Sequence, residues 1–134
     1  MWRQLAIAMS ILGLSASCGA AQTTKSVLSQ CRDVVAQDKA SAPMPPDKVL
    51  SATGCTNYIY GFVGGYAVAL EMAGAKGQIC FPTPTTPVQL ATAYVTWADR
   101  NPEKIQLPAR STILRAFLEA RSEGLRPVRA GALS

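Results

Sequence analysis

The chain has 134 residues, which fits one domain and excludes both a dinucleotide-binding domain with a separate substrate domain and a (β/α)8 barrel. A hydrophobic fraction of 49% and a charged fraction of 16% supply a packed core and exclude a disordered, highly charged chain. Thirteen Lys and Arg against eight Asp and Glu give +5, and the lack of histidine removes Ser-His-Asp and Cys-His catalysis and His-ligated metal sites.

The N-terminus reads as a leader. Met1–Gln4 carries one positive charge, Leu5–Ala16 is an uncharged apolar run, and small residues follow through Ala21. This is the three-part pattern of a secretory signal peptide, with cleavage expected after Ala20 or Ala21. The run is too short for a bilayer-spanning helix, which needs about 20 apolar residues. A buried N-terminal helix is the competing structural reading. A second alternative uses Cys18, where Leu14-Ser15-Ala16-Ser17-Cys18 is similar to a bacterial lipoprotein signal and would place a lipid anchor. Its Ser15 stands where such signals usually have Leu. Without residues 1–21 and their Arg3, twelve cations face eight anions, or +4. Export implies an oxidising compartment, the periplasm, where cysteines serve first as staples.

The remaining residues, 22–134, read as one helical domain. A first helix is expected over 26–39, with Val27, Leu28, Cys31, Val34 and Val35 at helical spacing. Pro43, Pro45 and Pro46 mark 40–48 as a loop, because proline lacks the N–H and clashes with the preceding turn. A second helix is expected over 51–75, its core stripe formed by Tyr58, Ile59, Phe62, Val63, Tyr66 and Leu70. Gly61, Gly65, Ala69 and Ala73 make another stripe. Glycine weakens a helix by about 1 kcal/mol relative to alanine, so this row is read as a close helix–helix contact. Gly74 and Gly77 end the helix.

Two prolines keep 78–84 extended. Thr86-Pro87-Val88-Gln89 is a strong helix start, with Thr86 as cap, Pro87 in the first position and Gln89 completing a capping box. That third helix runs to Arg100, with Leu90, Ala93, Tyr94 and Trp97 on one face. Asn101 and Pro102 restart the chain as cap and first residue. A fourth helix over 108–123 carries Ala109, Ile113, Ala116, Phe117 and Ala120. Gly124, Leu125 and Pro127 resemble a left-handed C-terminal cap, and 126–134 forms a frayed tail. The expected fold is therefore all-α, a small bundle of about four helices stapled by a disulfide.

Cys55 and Cys80 are the candidate disulfide pair, but connectivity stays open. A straight intervening helix of some 20 residues would be about 30 Å long. Bonding them requires a bend at Gly64-Gly65 or a turn at Gly74–Gly77. Cys31 is the odd cysteine, paired with another chain, buried as a small hydrophobe, or bonded to Cys18 if that survives cleavage. A thiolate zinc site lacks any Cys-x-x-Cys pair, and a catalytic cysteine lacks a base. No catalytic residue, metal site or cofactor is expected.

The middle of the chain resembles the Rap1a/Tai family of immunity proteins. Cys55-Thr56-Asn57-Tyr58-Ile59-Tyr60-Gly61-Phe62-Val63-Gly64-Gly65 is similar to the family's Cys-x-x-Tyr/Phe opening of a helix with Gly-x-x-x-Gly. Cys80-Phe81-Pro82 is similar to its Cys-x-Pro element. Gln89-Leu90 with Tyr94, then Asn101-Pro102-Glu103, are similar to its helix ending before Asn/His-Pro-Glu. Pro108-Ala109 and the Leu114 region match its last helix, and Leu28-Ser29-Gln30-Cys31 its early cysteine. The resemblance covers roughly 28–123. The family's closing Phe-Pro-Cys is absent, since 122–127 holds no cysteine, and the Pro-rich insert between Cys31 and Cys55 is long. If the early cysteine normally pairs with that final one, Cys31 has lost its partner.

The resemblance implies an exported helical inhibitor, not an enzyme, that works as a homodimer. It would bind and block a peptidoglycan amidase effector delivered by type VI secretion. By family analogy, the loop 99–107 is the partner-binding element, with Arg100, Asn101, Glu103 and Lys104 entering a cleft. A solvated turn is the plain alternative for these charges. A net charge of +4 would steer an acidic partner. The competing function is a small periplasmic helical stress chaperone or other periplasmic binding protein. Nucleic-acid binding is not expected, because the only concentration of basic residues, Arg110, Arg115, Arg121, Arg126 and Arg129, matches no nucleic-acid motif.

Overall fold

The computed structural model describes residues 21–76 and 85–122. They form four helices: α1 (Thr24–Asp38), α2 (Pro46–Met72), α3 (Pro87–Arg100) and α4 (Ala109–Ser122), with a 3-10 turn at Pro102–Lys104. Among the described residues the extended pairing is a single antiparallel bridge, Thr23 with Pro108. The leader 1–20, the expected C-terminal cap and the tail 126–134 lie outside the described residues.

α1 and α3 begin at threonine caps, and α2 begins at a proline. The Thr23 side chain accepts from the Ser26 amide at 3.2 Å and starts α1 two residues before the expected Ser26. Pro46 opens α2, so the Pro-rich loop ends at residue 45 and not 48. The first helical position tolerates proline because its N–H would be unsatisfied there anyway. At α3 the expected capping box forms. Thr86 N–H donates to Gln89 Oε1 at 2.8 Å, and Gln89 N–H to Thr86 Oγ1 at 3.2 Å. α2 ends at Met72 and not at Ala75, because Gly74 turns left-handed at φ 60°. Ala75 N–H returns to Leu70 O at 3.0 Å and Gly74 N–H to Glu71 O at 3.1 Å, the two bonds of a Schellman cap.

α1 and α2 form an antiparallel hairpin, and α1 also packs on α3 and α4. The hairpin is joined covalently by Cys31–Cys55, with Cα atoms 5.0 Å apart. This corrects the expected Cys55–Cys80 pair and the reading of Cys31 as the odd cysteine. The reason is geometric: α2 runs unbroken for 27 residues and carries the chain away from Cys55. Cys80 and Cys18 lie outside the described residues. Both bonded cysteines are fully buried. Beside the staple, the Gln30 side-chain amide lies over Gly54, whose missing Cβ would come within 2.8 Å of Gln30 Oε1.

The core is built from Val27, Leu28 and Val34 of α1, Ile59 of α2, Leu90, Tyr94, Val95 and Trp97 of α3, and Ile113 and Phe117 of α4. α2 contributes little for its length. Only Cys55 and Ile59 are fully buried, and Val68 and Met72 are exposed. Phe62 still reaches Phe117 edge-on, at 6.5 Å between ring centres. Among the described residues, nothing lies within 4 Å of where a Cβ would sit on Gly61, Gly64 or Gly65. The close helix–helix contact expected on that stripe is therefore absent within the described chain. The tight spot is at Gly54 instead.

Polar pairs lace the hairpin. Ser51 Oγ donates to Asp33 Oδ2 at 2.6 Å, and Lys48 Nζ sits 3.0 Å from Asp33 Oδ1. The Ser51 hydrogen bond, followed by Lys48, holds the Asp33 carboxyl below its ordinary value. A depressed folded value gives stability that is present above the unfolded carboxylate range near 4 and is lost as pH falls through the folded value. Asp33→Asn should therefore cost about 1 kcal/mol at pH 7, and the difference should be smaller at about pH 3 than at pH 7. Urea titrations of both proteins at the two pH values measure this, and an equal gap at both would refute it.

Candidate functional site

The loop between α3 and α4 starts where α3 runs out, at Asn101. Asn101 does not act as the expected side-chain cap of the 3-10 turn. Its amide instead donates back to Trp97 O at 2.8 Å, and its Oδ1 accepts from Lys104 Nζ at 2.6 Å. Lys104 Nζ also stands 5.6 Å from the centre of the Trp97 ring and 3.6 Å from Glu103 Oε1. Trp97 is buried, and its indole N–H donates to Glu119 Oε2 of α4 at 2.8 Å. Glu119 Oε1 lies 3.8 Å from Arg100. Asp99, next to Arg100, pairs with Arg32 of α1.

Of the four sequence-derived residues, Lys104 stands over the buried indole and Asn101 bonds the Trp97 carbonyl, whereas Arg100 pairs with Glu119 and Glu103 with Lys104. Asn101 and Lys104 are turned inward and brace the turn. Arg100 and Glu103 point to solvent, with side chains 48% and 65% exposed. Gln106 and Leu107 are exposed as well and were not singled out by the sequence reading. These groups can offer ion pairs, hydrogen bonds and one apolar contact to a partner surface.

The far end of the loop is held from below. Thr24, Tyr94 and Thr112 are all fully buried. Thr24 Oγ1 donates to Leu107 O at 2.5 Å and lies 2.9 Å from Thr112 Oγ1, which lies 2.9 Å from Tyr94 OH. Thr112 Oγ1 also donates to Ala109 O at 3.0 Å. Burial raises the Tyr94 phenol, so it stays a neutral donor. The sequence reading missed both threonines. The signal was present, since Thr24 precedes Val27, Leu28 and Cys31, and Thr112 sits between Ala109 and Ala116, each on its core stripe.

An apolar groove of about 490 Å³ opens elsewhere, between α1, the Pro-rich loop, α2 and the start of α3, lined by Val34, Met44, Val49, Ala52 and Val88. Among the described residues no group of three His, Cys, Asp or Glu is placed to hold a metal ion, and no helix is long and apolar enough to cross a membrane.

Fold and site together define a small disulfide-stapled helical protein that presents a braced, charged loop. The model of the Rap1a immunity proteins matches residues 23–120, and the chain belongs to that family. The match begins at the α1 cap and ends within α4. No curated protein and no solved structure matches the chain. Membership places it among immunity proteins, whose partner is a toxic protein effector.

Proposed function

We propose that this chain is exported by a cleaved signal peptide and, in the periplasm, binds and blocks a peptidoglycan amidase effector delivered by type VI secretion. The observation that carries the reading is the braced loop at 101–107. Binding sites gain affinity when the contacting segment is already ordered, because less conformational freedom is lost on association. The Trp97–Asn101–Lys104 arrangement supplies that order, and Arg100, Glu103 and Leu107 supply the outward chemistry. Full chain carrying a C-terminal tag, used as bait in periplasmic and secreted fractions and read by mass spectrometry, should retain one dominant amidase and inhibit its hydrolysis of peptidoglycan. Many weakly held, unrelated proteins would favour the chaperone reading instead.

Arg100→Glu with Lys104→Glu should weaken that capture at least tenfold. Undiminished capture removes the loop from the proposal.

A homodimer belongs to the same proposal. Its support is the distal half of α2, which exposes Tyr60, Val68 and Met72 beside three glycines that nothing in the described chain requires. Each Gly→Ala change at 61, 64 or 65 should stabilise an isolated copy by about 0.5–1 kcal/mol. Gly65→Leu should leave an isolated copy folded but abolish a dimer packed on this face. Light scattering after gel filtration reads the mass, and an unchanged dimer would exclude the face.

A further inference from the structure

The three buried hydroxyls have one proton each, and the geometry orders them. Thr24 gives its proton to the Leu107 carbonyl, so in the Thr24–Thr112 contact Thr24 Oγ1 can only accept, from the single Thr112 proton that also faces the Ala109 carbonyl. The Thr112 proton is then engaged toward Thr24 and the Ala109 carbonyl, so in the Tyr94–Thr112 contact Tyr94 is the donor. The result is a directed chain from the middle of α3, through α4 and α1, ending on the backbone of the exposed loop. Every buried side-chain polar atom among the described residues has a partner, so no step of this chain is left open.

The backbone repeats the connection. Ahead of α1, Thr23 bridges Pro108 in antiparallel fashion, and Ala109 N–H donates to Gln22 O at 3.2 Å. Residues 22–24 therefore cross under the loop end and hold it twice, once through the main chain and once through Thr24 Oγ1. Leu107 itself is 38% exposed, so the same residue has its carbonyl anchored and its side chain offered to solvent.

We infer that Thr24, with Thr112 behind it, is a positioning residue for partner binding: it fixes the Leu107 carbonyl and thereby the outward presentation of the 103–107 segment to a protein partner. This rests on the loop being the partner-binding element. A valine in place of either threonine keeps shape and burial but loses the hydroxyl. Thr24→Val removes the loop anchor. Tyr94→Phe removes only the far end and leaves the anchor in place.

The test is amide hydrogen exchange on the full chain, with the amidase captured by the tagged bait as the binding probe. Thr24→Val should speed exchange at Leu107 and Ala109 at least tenfold, leave the α2 amides near Ile59 unchanged, and weaken amidase binding at least fivefold. Thr24→Ser should restore both, and Tyr94→Phe should leave both near wild type. Unchanged exchange at Leu107, or faster exchange spread equally over all helices, overturns the inference. So does a loosened loop with undiminished amidase binding, provided that the Arg100→Glu, Lys104→Glu protein has lost it. If that charge variant also binds normally, the loop reading itself has failed.

Discussion

Replacing Cys31 and Cys55 together by alanine is expected to lower the stability of the folded chain by about 3 kcal/mol. The bond closes a loop of sequence separation 24. Breaking it restores conformational freedom mainly to the unfolded chain, roughly as the logarithm of loop length. The folded chain loses less, because Val27, Val34 and Ile59 still pack between the helices. For a folded region of about 100 residues, this corresponds to a melting temperature lower by roughly 10–20 °C. Thermal unfolding of the wild type and the double variant, followed by far-ultraviolet circular dichroism, measures it. A difference below about 2 °C would mean that packing alone holds the hairpin.

Trp97→Ala should cost more, about 3–5 kcal/mol, as large-to-small changes of buried aromatics do. Trp97 is among the largest fully buried side chains, and its loss opens a cavity between α3 and α4. It also takes away the indole N–H that Glu119 accepts from, leaving Glu119 its pairing with Arg100, and removes the ring beneath Lys104. Trp97→Phe keeps most of the volume and should cost far less, while still removing that N–H. Denaturant unfolding of the three proteins gives the numbers. The capture assay adds the functional reading: Trp97→Phe should weaken amidase binding beyond its effect on stability, and equal binding would show that the loop does not depend on the indole.

The sequence carried the helices because apolar spacing and caps agree locally. Thr86 to Gln89 is the clearest case, since every atom of the capping box lies within four residues. Pro46 was misplaced because one proline reads alike in a loop and in a first helical position, and only the downstream chain decides. The disulfide was missed for a related reason. With α2 taken to start at Ser51, Cys55 stood at the helix start and Cys80 beyond its far end, and their pairing needed a bend that the helix does not make. With α2 starting at Pro46, Cys31 lies seven residues before the end of α1 and Cys55 nine residues after the start of α2. An antiparallel hairpin brings such positions face to face. The glycine stripe misled because spacing says that something can come close, not that this chain supplies it. The four loop residues were found by family resemblance, and their separation into inward and outward groups needed the indole beneath them.

α2 is about 40 Å long at 1.5 Å per residue, nearly twice the length of α1, α3 or α4. It is bonded at Cys55 and packed at Ile59, Phe62 and Val63, whereas Leu50 near its start and Val68 and Met72 near its end stand in solvent. One continuous helix thus has a held middle and a bare distal end. The held middle should open only with the whole molecule, and in an isolated copy the distal turns should fray first. The covalent staple lies within that held middle, so a nick or a local melting beyond Val63 should not propagate into the hairpin. The braced loop, supported by α1, α3 and α4, would persist after the end of α2 had come undone.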